Sequence, residues 1–167
     1  CRAAGPARRS KRQYSRCFKM TTHVRQQIRD AAVTALTNLT TTGTRVYNSR
    51  VYPMQDANLP GLRVFTPSES SHVISMGSSR TRERMLLLVV EVCVKANTAY
   101  ADTADLIAKE VEIALDNNNT LGGLCKMIEP SSYEEELFGE GEHPITVGRM
   151  RFDVTYNTSK GAPDVAT

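Results

Sequence analysis

Three histidines, four cysteines and a run of three glutamates are the residues of this sequence best suited to chemistry. His23, His72 and His143 fall at a helix start, in a polar stretch and in a GEHP turn. No HExxH or related spacing joins them, so neither a zinc ligand set nor a positioned general base is indicated. The cysteines at 1, 17, 93 and 125 show no CxxC spacing. Cys93 sits in an apolar strand pattern, which suits a buried free thiol made in a reducing cytoplasm better than a disulfide or a metal site. Glu134, Glu135 and Glu136 offer carboxylates, yet three adjacent acids cannot all face one cleft. Together with Glu140 and Glu142 they leave divalent-cation binding open, at a spacing that matches no EF-hand. Gly122-Gly123 lacks the Lys-Ser/Thr of a phosphate loop, and Gly77-Ser78-Ser79 lacks the second glycine of a nucleophile elbow. The expectation is therefore no catalytic residue, no cofactor site, no metal site and no enzyme.

Charge divides the chain. Residues 1–19 hold seven basic side chains and no acid, while residues 20–167 hold 14 basic against 18 acidic residues, a net −4. The whole-chain charge of +3 thus belongs to the first segment, and a nucleic-acid reading would rest on that segment alone. Residues 1–19 have no apolar block for a secretory signal, and Met20 opens MTTHVRQQIRD like an ordinary protein start. They are expected to form a basic, disordered extension outside the fold. Residues 20–160 are expected to form one domain and residues 161–167 a frayed tail. No apolar run approaches the roughly 20 residues that cross a bilayer.

The elements follow from periodicity. Val24, Ile28, Ala31, Ala35, Leu36 and Leu39 recur at three- and four-residue steps, predicting a helix capped by Thr21 or Thr22 and running to about Leu39. Strands are predicted at Arg45–Val51, Leu62–Phe65 and Arg84–Lys95. In the last, Leu86, Leu88, Val90, Val92 and Val94 face one way and Leu87, Val89, Glu91, Cys93 and Lys95 the other. Its apolarity suggests an interior strand covered on both sides, antiparallel to Leu62–Phe65. A second helix spans about Thr98–Asn117, followed by strands near Lys126–Glu129 and over Ile145–Tyr156. The fold class is α+β: a mostly antiparallel or mixed sheet with two helices packed on one face, in the order α-β-β-β-α-β-β.

Two long polar connections remain, and long loops in compact domains tend to be functional or disordered. One carries Arg80, Arg82 and Arg84; the other carries Glu134, Glu135, Glu136, Glu140 and Glu142 around Leu137 and Phe138. Leu137 and Phe138 fit an interface anchor with a charged rim, or Phe138 folds back onto its own core. Opposite charge on two loops suits a head-to-tail contact between copies, which closes into a ring when the rotation permits.

The stretches MTTHVRQQIRDAAVTALTNL, TTGTRVYNSRVYPMQDANLPGLRVFT, ADTADLIAKEVEIAL and GRMRFDVTYNTSKGAPDVA resemble the tail terminator (minor tail protein U-like) family of long-tailed bacteriophages. The likeness covers nearly all of residues 20–167 and none of 1–19. It implies a structural virion protein that forms a hexameric homo-oligomer on the tail tube. One face would meet the tail tube protein and the other the head or neck connector protein. It also implies that tube elongation stops there, and that DNA passes through the ring lumen without sequence-specific binding. No cofactor and no membrane contact are implied. The place would be the head-proximal end of the virion tail, after assembly in the host cytoplasm. The competing readings are a neck or head-completion (connector) protein and a nucleic-acid-binding module acting through residues 1–19.

Overall fold

The computed structural model describes residues 22–49, 54–77, 80–95, 99–138 and 144–167. Helix α1, Val24–Leu36, places Val24, Ile28, Ala32 and Leu36 on one fully buried stripe. Its N-cap is His23 rather than a threonine: the imidazole Nδ1 accepts from the Arg25 amide at 3.1 Å. Thr21 lies outside the described residues. The helix stops short of Leu39 because Asn38 turns to φ 70° and Gly43 to φ 57°, and the Asn38 amide donates to the Gly43 carbonyl. Gly43 meets that demand at no steric cost.

The strands are β1 (Val46–Asn48), β2 (Gly61–Val73), β3 (Thr81–Lys95), β4 (Met127–Phe138), β5 (Ile145–Ser159) and β6 (Ala162–Ala166). Helix α2, Tyr100–Asp116, stands between β3 and β4. One sheet runs in the order β1-β2-β3-β5-β4, with β6 paired to the far end of β5. β1 joins β2 in parallel, and every other pairing is antiparallel. β3 and β5 are matched from Thr81↔Ser159 to Lys95↔Ile145 without a shift. The class is α+β, with both helices on one face of the sheet, as the pattern implies.

Three expectations need correction. The polar stretch after Phe65 is not a loop: β2 continues to Val73 and pairs with β3 as far as Val73↔Arg82. The acidic stretch is not a loop either, for β4 runs through Glu134–Glu136 to Phe138 against β5. The C-terminal residues are a strand rather than a frayed tail, since Ala162–Ala166 fold back on β5. In all three the ladder of backbone hydrogen bonds, not apolar burial, holds the chain extended.

The core lies between helices and sheet. Ala104, Ile107, Val111 and Leu115 of α2 meet Leu62, Val64, Leu86, Leu88, Val90, Met150, Phe152, Val154 and Tyr156. Each of the Val, Leu, Ile, Met and Phe side chains contributes about 1.5–3 kcal/mol on leaving water. The other sheet face carries no α-helix among the described residues, yet β3 is buried on both sides from Leu88 to Val94, as its apolar run implies. On that other face the odd positions of β3 meet a smaller cluster, Met54, Cys93 and Val147, and a belt of charged side chains.

Candidate assembly surface

The alternation of β4 divides its acids. Glu134 and Glu136 fall on the helix-free face, where Arg151 and Arg149 of β5 stand beside them. Arg151 grips Glu134 with both terminal nitrogens, at 2.6 and 2.9 Å, and Arg149 Nη1 donates to Glu136 at 3.0 Å. The hydrogen bond from Arg151 holds the Glu134 carboxyl below the usual range, and the same bond raises the Arg151 guanidinium. Glu135 points to the helix side with Tyr133, whose phenol is pushed up by burial and by the nearby Glu135 and Asp105 carboxylates. Tyr133 crosses β5 at Gly148, where a Cβ would lie 2.7 Å from the phenol oxygen.

The same belt continues inward. Arg149 Nε donates to Glu91 Oε1 at 2.9 Å, and Arg63 of β2 takes the other oxygen of that carboxylate. Glu91 is the one acid in the run Met85–Val94 and is buried at 4% exposure. Two guanidiniums reach this buried carboxylate and offset the cost of taking it out of water. The hydrogen bond to Glu91, then the charge of Glu136, raise Arg149 above its ordinary value against desolvation.

Phe138 is 45% exposed, with the Arg149 guanidinium 5.9 Å from its ring centroid. It lines a cavity of about 280 Å³ together with Met54, Cys93, Ile145 and Val147, on the smaller cluster's side of the sheet. Leu137, at 61% exposure, points to the opposite side of β4. Burial pushes the Cys93 and Cys125 thiols up to about 11, which makes both poor nucleophiles.

Of the basic residues, Arg84 is committed to Glu69 and to the Thr158 hydroxyl, with Arg25 at 3.4 Å from the same Glu69 carboxylate. Arg80 is exposed and Arg82 half-buried, and neither makes an ion pair among the described residues. The register sets Arg82 and Glu136 about 11 positions apart along β3, roughly 35 Å at a strand's rise. The two charged groups therefore occupy opposite ends of one sheet. Glu140, Glu142 and His143 lie outside the described residues, as does the segment 1–19.

What the sequence missed is the pairing partners: Arg63, Glu69, Glu91, Arg149 and Arg151. A signal for them existed. Arg149-x-Arg151 in one strand repeats the two-residue step of Glu134-x-Glu136 in the next, and a lone acid inside an apolar run calls for a cation.

The wider charge is lopsided. α2 and β4 hold nine acids against Lys109, a net −8, while the other described residues hold twelve bases against seven acids, a net +5. Asp105 and Glu112 flank α2 toward β4, beside Tyr133 and Pro130, and neither makes an ion pair among the described residues. Leu106 and Ile113, each about half exposed, lie one heptad apart on the outer side of the same helix. Among the described residues no group of three or more His, Cys, Asp or Glu is placed to hold a metal ion. No helix among them is long and apolar enough to cross a membrane.

No family model matches the sequence, and no curated protein matches it. Among solved structures, a chain from the virion of a native gene transfer agent particle is similar to it at 20% identity and a TM-score of 0.40. That likeness covers 80% of this chain and 92% of the other.

Proposed function

We propose that this chain is a non-catalytic structural protein of a phage-like virion, which closes as a ring on the end of a tail tube. There it stops tube elongation and offers its other face to the head or neck. The tail context comes from the sequence resemblance. The observation that carries the assembly role is the exposed apolar side chains at the two ends of the sheet: Val73, Ile74 and Met76 mark one end and Leu137 and Phe138 the other. Exposed apolar groups at both ends of an otherwise well-packed domain suit a subunit stacked between two partners.

The test adds the purified chain to polymerising tube protein of the same phage and reads both products by electron microscopy. Rings, sixfold by class averaging, and tubes that stop growing at one end are expected. Tubes that lengthen unchanged while the chain remains unattached would sink the proposal. Rings that bind the head connector but leave tube growth alone would favour the neck-protein reading instead.

A further inference from the structure

Three features coincide on the β4 side of the domain. Over Ser131–Phe138 the strand pairs with β5 on one side only, and its other edge meets no strand among the described residues. An edge of that length is a template for another strand. Its own acids do not blunt it in the usual way, because Arg149 and Arg151 neutralise Glu136 and Glu134. Beside the edge, on the helix layer, stand the carboxylates of Asp105 and Glu112, which make no ion pair among the described residues.

The opposite border of the sheet has the complementary character. β1 covers only Leu62–Val64 of β2, which leaves Thr66–Val73 without an outer partner among the described residues. Residues 22–84 hold seven bases and four acids in the described set, including Arg25 and Arg29 on α1 above this border and Arg82 beside it. Strand direction also agrees. β2, β3, β5 and β4 alternate in direction, and β1 runs with β2, so both strands of this border run opposite to β4.

We infer that the ring closes by sheet continuation: the β4 edge of one copy pairs antiparallel with the β1/β2 border of the next. In that arrangement Asp105 and Glu112 face α1 of the neighbour, and backbone hydrogen bonds supply the joint while charge selects its sense. A second copy is the occupant because the two borders of the same chain differ in sign and in direction, which is the requirement for a head-to-tail contact. The inference rests on the ring reading above and specifies the surface it uses.

Two charge-reversed full-length chains test it. Asp105→Lys with Glu112→Lys reverses one border, and Arg29→Glu with Arg82→Glu reverses the other. Each alone is expected to shift the monomer–ring equilibrium toward monomer by about tenfold or more per contact. Mixed in equal amounts, the two are expected to recover rings containing both in equal number, seen by native mass spectrometry. Misfolded chains could not do so. In the unaltered chain, those amides of Ser131–Phe138 that point away from β5 are expected to exchange at least tenfold more slowly in rings than in monomer. Undiminished rings from either variant, a folded pair that does not recover rings, or outward-pointing β4 amides unprotected in rings would each overturn sheet continuation alone. An unaltered chain that stays monomeric, with and without tube, would overturn the ring reading along with it.

Discussion

Arg149 Nε donates to Glu91 Oε1 at 2.9 Å across the β3–β5 pair, deep enough that the carboxylate side chain is only 5% exposed. Removing the charge leaves Arg63 without its carboxylate and Arg149 with Glu136 alone. Glu91→Gln is expected to cost about 2 kcal/mol, less than a fully buried pair because Arg149 is 30% exposed. Urea unfolding measures it. Adding Arg149→Leu to Glu91→Gln should cost less than the two single changes summed, since both remove the same Arg149–Glu91 hydrogen bond.

The Arg151–Glu134 pair gives β4 an acid-sensitive attachment. Arg151 depresses the Glu134 carboxyl, so the folded chain binds this proton less readily than the unfolded chain. The contribution is present above the ordinary value of 4.5 and disappears as pH falls through the lower folded value. Amide exchange in β4 should quicken across that interval. Carbon-detected titration of Glu134 should move upward in Arg151→Gln; an unmoved midpoint would remove Arg151 as the cause.

His23 caps α1 only while its Nδ1 is unprotonated. Burial, then the Arg25 charge, lower its folded value below 6.5, so the unfolded chain takes up the proton more readily. Stability from this cap is complete above 6.5 and falls as pH drops through the lower folded value. His23→Ser keeps a side-chain acceptor that does not titrate. Its melting temperature should lose the histidine-dependent slope between pH 5 and 7, roughly where that group changes charge.

Gly148 is required by the ring that lies over it. Gly148→Val would bring its Cβ to 2.7 Å from the Tyr133 oxygen and 3.0 Å from Cε2, so the phenol must swing off β5. The expected cost is about 1–2 kcal/mol, moderated because Tyr133 is already 41% exposed. Nuclear Overhauser contacts between Tyr133 and residue 148 should vanish while the β3–β5 contacts persist.

The helices and the centre of the sheet were legible because Val24, Ile28 and Leu36, like Leu86-Leu88-Val90-Val92, bury one face at the period of their element, although Ala32 takes the fully buried place read for Ala31 and Ala35. The arms were not. Ser68–Val73 and Ser132–Glu136 extend past the apolar core, where extension depends on a partner strand far away in sequence and local composition reads as loop. That also misplaced the interface residues. Arg84, Glu134 and Glu136 looked like free charges, yet their counter-ions Glu69, Arg151 and Arg149 stand in neighbouring strands. The N-cap was missed for a different reason: histidine is a rare cap, and the two threonines before it fit the usual rule.

The strands from β2 to β4 number four, and that parity has a consequence for size. An even set ends in borders of opposite polarity, so copies can be added by rotation without two like-directed strands having to meet. Pairing chemistry then sets no limit on copy number. The limit falls to geometry, to the angle that the sheet's twist and the bulges at Phe65/Ser68 and Pro130/Ser132 turn through in one subunit. Changing those bulges, rather than any charge, is the way to alter how many copies close the circle.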